Sequence, residues 1–391
     1  MRMLPYSTPQ RVGQARPGRE RGLRYAAVMP LDTPTALALG DRVLRSRLCC
    51  GPGPWLRPVD DAQRVRTLRR TGQGIVALVM LRASVNAEGR SAANEPALDL
   101  GDDLVRLAQW IEAVHEGGAL ALVELTHGGP RAGDLSSTRP VGPDTVVDPV
   151  HGRTPLPLTD LDAVTTCFDQ AAARALQAGA DLLGLEIAHG SLLHSWLSPL
   201  GWSRPVDEAT RLQLPLRIAR SLAARAVLMP TLCAEDLCPG GLTPTQGLAA
   251  ACALRDAGAS ALVVTAGHRS VRHLQRPLRP PGPLREAPHA RLASWVRRAV
   301  ELPVGVVGGL RSRAAMDTLL REHAVDLLVL ERPFLCEPDL GVDALNPDWS
   351  SSCSSALDCC PPSWPASPAL DRCPSCGPAG GTGGPGETPE I

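Results

Sequence analysis

Asp181-Leu-Leu-Gly-Leu-Glu-Ile-Ala-His-Gly-Ser-Leu-Leu-His-Ser-Trp-Leu-Ser-Pro199 is an apolar run that breaks at a small, polar elbow and then resumes. From Asp181 to Ile187 it has the length and near-continuous apolar character of a strand covered on both faces, as parallel sheets require. It delivers His189 to a rim. A lone histidine at a strand end is more often a satisfied structural residue than a functional one, so its meaning depends on what the rest of the chain places beside it.

The composition excludes several function classes. Lys plus Arg and Asp plus Glu both total 40 in 391 residues, so no field of one sign draws in nucleic acid or an anionic membrane. No uninterrupted apolar run approaches the ~20 residues of a membrane span. The chain has no lysine, every basic residue being arginine, which removes Schiff-base chemistry. Its 12 cysteines form no even framework of a short secreted domain and read as reduced thiols of a cytoplasmic protein. Met1 to Arg24 carries arginines without an apolar h-region, so it is not a secretory signal. It reads as a disordered leader or as the result of a start codon placed too early.

Eight short apolar runs recur along the chain, most followed by a segment of helical periodicity. They are Arg42 to Cys50, Gly74 to Leu81, Ala119 to Leu125, Asp181 to Ile187, Ala226 to Leu232, Ala261 to Thr265, Pro303 to Val307 and Asp326 to Leu330. Helices are expected over Asp102 to His115, Thr159 to Ala178, Pro244 to Ala257 and Arg311 to His323, with Gly117, Gly179 and Gly258 as left-handed residues just past helix ends. Alternation of this kind predicts a parallel sheet, and the count of eight predicts a closed α/β barrel, the TIM (β/α)8 fold. An open doubly wound sheet fits less well, because no G-x-G-x-x-G follows the first strand.

Ordered motifs sit at the ends of these strands. They are Leu39-Gly-Asp-Arg-Val-Leu-Arg-Ser-Arg-Leu-Cys49, Gly72-x-Gly74 through Glu88-Gly-Arg90, Glu124-Leu-Thr-His-Gly-Gly129 and Glu186-Ile-Ala-His-Gly-Ser-Leu-Leu193 with Leu197-Ser-Pro199. Pro239-Gly-Gly-Leu-Thr243, Gly308-Gly309 and Arg332-Pro-Phe-Leu-x-Glu-Pro-Asp339 complete the order. Together they resemble the old yellow enzyme family of flavin-dependent NAD(P)H oxidoreductases and ene reductases, over roughly Pro30 to Leu340. The resemblance implies an FMN across the barrel mouth, NAD(P)H as reductant, and hydride transfer to an activated alkene or related electron-poor small molecule. The cofactor performs the redox step and the protein orients and polarises.

Residue by residue, the resemblance implies the following. Cys49 stands where the family contacts flavin near N4 and N5, and Glu124 where a glutamine meets the pyrimidine edge. Thr231 stands where an arginine faces N1 and O2, with Arg82 a candidate to supply that missing charge. Gly308, Gly309 and the backbone around Arg332 match the phosphate end, and Glu331 replaces a glycine there. His189 matches the second member of the family's substrate-binding pair, two residues being absent before Ala188, and Ser191 replaces the tyrosine that follows. His189 and Ser191 are therefore the candidate catalytic residues, and no metal ligand set is expected. His127 reads as architectural.

Residues 30–345 are expected to form one barrel domain, preceded by the leader 1–29 and followed by a disordered tail, 346–391, rich in Pro, Ser, Gly and Cys. Cys353, Cys359, Cys360, Cys373 and Cys376 lie where longer relatives of the family hold an iron-sulfur cluster, but their spacing is wrong, so unpaired tail thiols are expected instead. The replaced site residues leave a rival reading open, a barrel with lost or altered flavin chemistry that acts as a scaffold or in a specialised biosynthetic step. Oligomeric state, substrate and nicotinamide preference are not legible.

Overall fold

The computed structural model describes residues 36–52, 60–92, 94–132, 139–148, 152–268, 286–322 and 324–353. Eight strands, β1 Leu48–Cys50, β2 Val76–Ser84, β3 Leu120–Thr126, β4 Leu182–Ile187, β5 Leu228–Cys233, β6 Leu262–Thr265, β7 Val304–Val307 and β8 Leu327–Leu330, pair in parallel in that order. β8 pairs β1, through Leu328 with Leu48 and Leu330 with Cys50, and the barrel is closed. The chain is thus the expected (β/α)8 barrel.

Helices α1 Asp61–Thr71, α2 Gly101–Gly117, α3 Leu161–Gln177, α4 Leu192–Leu197, α5 Glu208–Ala223, α6 Pro244–Asp256, α7 Ala290–Val300 and α8 Arg313–Arg321 follow the strands. Two short ones, α9 Arg332–Cys336 and α10 Leu340–Asp343, end the series. Their starts are written in side chains that accept from the exposed first-turn N–H groups: Asp160 from Ala163 at 2.8 Å, Asp207 from Thr210 at 2.7 Å, and Thr243 in a reciprocal capping box with Gln246. Gly179 (φ 105°) and Gly258 (φ 99°) end helices in the left-handed conformation, as expected. At α2 that residue is Gly118 (φ 96°) and not Gly117, because the helix runs one turn position farther; Gly117 instead packs so closely that a Cβ would meet the Arg69 carbonyl at 2.5 Å.

The first expected strand divides. Arg42–Leu44 pairs antiparallel with Leu37–Leu39 as a hairpin turned at Gly40 (φ 58°), and only Leu48–Cys50 enters the barrel. The hairpin's Leu39 and Leu44 join Leu78, Met80, Leu122, Leu182, Met229, Val263 and Leu327 in one buried apolar cluster. These are the inward-facing positions of the strands near their N-terminal ends, so the hairpin stoppers that end of the barrel. The alternate residues, such as Val79, Val123, Leu183 and Leu328, face outward and pack with Trp110, Phe168, Leu214 and Val296 of the helices.

The packed body runs past the expected boundary at Asn346. Trp349 accepts from the Arg313 N–H at 3.0 Å, the Ser351 N–H donates to Arg311 at 2.7 Å, and Cys353 is buried. The rest of the expected tail, with Cys359, Cys360, Cys373 and Cys376, lies outside the described residues, as does the leader 1–29. No helix among the described residues is long and apolar enough to cross a membrane.

Candidate active site at the barrel mouth

Toward the C-terminal ends of the strands the inward positions turn polar. Arg82 follows Met80, Glu124 follows Leu122, Glu186 follows Gly184 and Thr231 follows Met229, each two residues along its strand and therefore on the same face. β2 runs to Ser84, so Arg82 lies within the strand and not just past it. Register sets Arg82 beside Glu124 and Glu186 beside Thr231.

These side chains form a connected network. Arg82 donates Nε to Glu95 at 2.9 Å and a terminal N–H to Thr126 at 3.2 Å, and pairs with Glu186. Thr126 donates to the same Glu186 oxygen at 2.5 Å. Burial opposes the charge on Arg82, but Glu186, Glu95 and Glu124 outweigh it and hold the guanidinium above its ordinary pKa. Burial likewise opposes an ionised Glu186, yet Arg82, His189 and Thr126 hold it well below the usual carboxylate range. Glu124 goes the other way. Burial, helped by Glu186 and Glu331, outweighs Arg82 and Thr231 and pushes its pKa to about 8.

The elbow after β4 is built from two left-handed residues in succession, His189 (φ 58°) and Gly190 (φ 76°). A non-glycine residue there is strained, and the surroundings hold it. Arg131 donates to the His189 carbonyl, and His189 Nδ1 lies 3.1 Å from Glu186 Oε1. With 36% of its side chain exposed, the ring faces the open mouth. Ser191 does not. It is buried and its hydroxyl donates to the Glu186 carbonyl at 3.3 Å, so it supports the elbow and presents no group to a substrate.

The other expected residues are placed as follows. Cys49 is fully buried in the interior apolar cluster, where burial pushes its pKa up to about 12 and keeps it a neutral thiol. Thr231 Oγ1 donates to Glu124 Oε1 at 2.5 Å, so the two residues that replace the family's glutamine and arginine bond to one another. Gly308 (φ 113°) and Gly309 (φ 72°) follow β7 in left-handed conformations and remain partly exposed. Glu331 and Arg332 lie where β8 turns into α9. The Glu331 side chain lies over Gly51 at the end of β1, where a Cβ would come within 2.5 Å of its Cγ. His127 is architectural: Nδ1 accepts from the Gly129 N–H at 3.0 Å, the ring fills the space a Cβ on Gly89 would need, and burial lowers its pKa to about 4.

Glu95, Thr126, Arg131 and Glu186 were not singled out by sequence reasoning. Neither was a second buried group, in which His194 Nδ1 accepts from Gly190 at 2.8 Å and Nε2 donates to Asp236 at 2.9 Å. Ser198 and Leu242 donate to the other Asp236 oxygen, each at 2.6 Å. Ligand atoms of His194, Cys233 and Asp236 lie within 4.8 Å of one another, a spacing a metal ion can bridge. The histidine nitrogens and both carboxylate oxygens already have protein partners, so the group works as a clasp from α4 to the loop after β5.

A family model described as the NADH:flavin oxidoreductase / NADH oxidase family matches residues 35–208. An NADH oxidase of Thermoanaerobacter brockii is 26% identical over 322 residues, which are 77% of this chain and 48% of that protein. An NADPH dehydrogenase of Bacillus cytotoxicus is 26% identical over 284 residues, 70% of this chain and 79% of that one. The solved structure of morphinone reductase superposes with a TM-score of 0.66 at 19% identity, covering 82% of this chain and 90% of its own. Over residues 35–208 the chain resembles the NADH:flavin oxidoreductase / NADH oxidase family, and its fold is shared with morphinone reductase. It spans about half the length of the NADH oxidase it matches.

That resemblance implies FMN, and the mouth can be tested for it. A flavin needs hydrogen-bond donors and acceptors side by side along its pyrimidine edge, an apolar bed and backbone N–H groups for its phosphate. The bed is present in Cys49, Val307 and Val329, and Gly308 and Gly309 are partly exposed and carry no side chain of their own, with His289 and Pro288 packed beside them. A buried acid with a pKa near 8 retains its proton at neutral pH and so keeps a donor on the mouth's floor. Glu331, turned over Gly51, leans away from the two glycines' strand toward β1. The residues present fit the group.

Proposed function

We propose that this protein is an FMN-dependent NAD(P)H oxidoreductase of the old yellow enzyme type acting on an activated alkene or a related electron-poor small molecule. The observation that carries the reading is His189 held at the open mouth by Glu186, above a buried polar floor of Arg82, Glu124 and Thr231. FMN, when bound, supplies the hydride chemistry between nicotinamide and substrate.

In this reading Cys49, Glu124 and Thr231 meet the ring system, while Gly308, Gly309 and the backbone at Glu331 and Arg332 receive the phosphate. An ionised Glu186 accepts a hydrogen bond from Nδ1–H of His189, so Nε2 donates to a substrate carbonyl only when the ring is an imidazolium. In that form it stabilises negative charge developing on the oxygen, as an oxyanion donor does. With the Ser191 hydroxyl turned to a backbone carbonyl and far less acidic than a phenol, water is left to protonate the neighbouring carbon. Cys49, Cys50, Cys167, Cys233, Cys238 and Cys252 are free thiols, which supports a reducing, cytoplasmic setting.

The purified protein is expected to be yellow, with about one FMN per chain, as a single barrel mouth would hold. A protein that stays colourless after incubation with excess FMN would overturn this reading and favour the scaffold.

A further inference from the structure

The pair formed by Glu124 and Thr231 replaces the residues expected to grip the flavin's pyrimidine edge. We propose that Glu124 works there as a neutral carboxylic acid, positioned by Thr231, which reads the lactam edge of the ring with its own donor and acceptor. This rests on the FMN reading above.

The geometry comes first. Glu124 is 1% exposed, and Thr231 Oγ1 donates to its Oε1 at 2.5 Å, which fixes the carboxyl plane and leaves the acid proton to Oε2. The charged groups around it come from every side. Arg82 on β2 is its neighbour in register, but the guanidinium donates to Glu95, Glu186 and Thr126. Glu186 approaches from β4 and Glu331 from the end of β8, both negative, while Cys49 on β1 is a neutral thiol. Ionised, Glu124 would be a further carboxylate competing for one guanidinium already held by two. Protonated, it removes that conflict, in keeping with a pKa pushed to about 8.

Recognition follows from the chemistry of the two forms. A lactam edge places an N–H beside a C=O. A neutral acid presents an O–H donor beside a C=O acceptor, as a primary amide presents N–H beside C=O, and so complements both atoms. A carboxylate offers acceptors alone, which pairs the N–H and leaves the ring carbonyl facing an anion. Glu124 thereby stands in for a glutamine only while it keeps its proton.

The test is FMN affinity as a function of pH, measured by quenching of flavin fluorescence with the full chain. If only the neutral form binds, the wild-type dissociation constant rises about tenfold between about pH 7 and about pH 9, while Glu124→Gln, isosteric and always neutral, stays flat. The Thr231 hydrogen bond favours the ionised form, so Thr231→Val should move the break in the curve to higher pH. A carboxylic-acid carbonyl band in the infrared spectrum of the apoprotein, present at neutral pH and missing in Glu124→Gln, reports the proton without any cofactor. Equal pH dependence in wild type and Glu124→Gln, or no such band, overturns the proposal and leaves the FMN reading standing. Absence of FMN binding in both proteins at every pH overturns the two together.

Discussion

The two ends of the barrel interior share the same strands and differ in everything else. At the N-terminal end, Leu78, Leu122, Leu182 and Leu327 close on the hairpin's Leu39 and Leu44, and each is almost wholly buried. Two to four residues along, Arg82, Glu124, Glu186 and Thr231 are nearly as buried and mostly ionisable. Burying a large aliphatic side chain contributes about 1.5–3 kcal/mol, whereas burying a charge costs several kcal/mol unless it is paired. The apolar end therefore stabilises the barrel. The mouth is a place where stability is given up for preorganised charge, tolerable because Arg82 meets three acceptors at once.

That contrast can be broken most forcefully at its centre. Arg82→Met removes the guanidinium that pairs with both Glu186 and Glu95 and leaves two buried carboxylates, so chemical denaturation should show a loss of about 3–5 kcal/mol. Leu122→Ala at the apolar end should cost about 2–5 kcal/mol by leaving a cavity, with no dependence on pH. The loss in Arg82→Met should instead shrink as pH falls through and below the ordinary carboxylate range, where Glu186, held below that range by Arg82, loses the stabilisation of its pairing. Matching, pH-independent losses would mean the mouth is ordinary core.

At the rim the expected effect is on chemistry. His189→Ala should leave FMN content and reduction by NAD(P)H nearly intact while slowing the half-reaction with an enone about 100-fold, measured by stopped flow beside a melting curve. Equal slowing of both half-reactions with a large fall in melting temperature would make His189 a structural residue.

The smallest expected effect lies at Glu331. Its charge raises the Glu124 pKa, so Glu331→Gln should move the loss of FMN affinity to lower pH without changing stability by more than about 0.5 kcal/mol. The same linkage acts on folding. The folded pKa of about 8 lies above the ordinary 4.5, so the folded state holds the extra proton between them, and Glu124's contribution to stability declines as pH rises through that window. Glu124→Gln should abolish this slope, and an unchanged slope would assign it to another group.

Much of this was legible in residue order. Eight apolar runs at strand length, separated by helical periodicity, predicted the barrel, and His189, Cys49, Glu124 and Thr231 were named as candidates from the family resemblance. Arg82 was named as a candidate charge from the resemblance, and the signal for Glu186 was also present, in the period of two that carries Leu182, Gly184 and Glu186 along one face of a strand. It went unused because a charge at the end of an apolar run looks like a strand's last exposed residue. Nothing local marks Glu95, in a loop, or Arg131, at the end of the 3-10 turn Gly129–Arg131, which reach the network from 13 residues beyond Arg82 and from 58 residues before His189.

What the sequence determined by itself is whatever follows from periodicity and local chemistry: strand and helix positions, their caps, the closed parallel barrel and the family pattern at the strand ends. Tertiary structure alone decided that Arg42–Leu44 folds back as a stopper, that Ser191 turns to the Glu186 carbonyl, and that Glu331 lies over Gly51. It also decided the proton on Glu124. Ionisation depends on the dielectric and the charges within a few ångströms, and those come from Arg82, Glu186, Thr231 and Glu331, up to 207 residues distant in the chain and brought together only when the barrel closes.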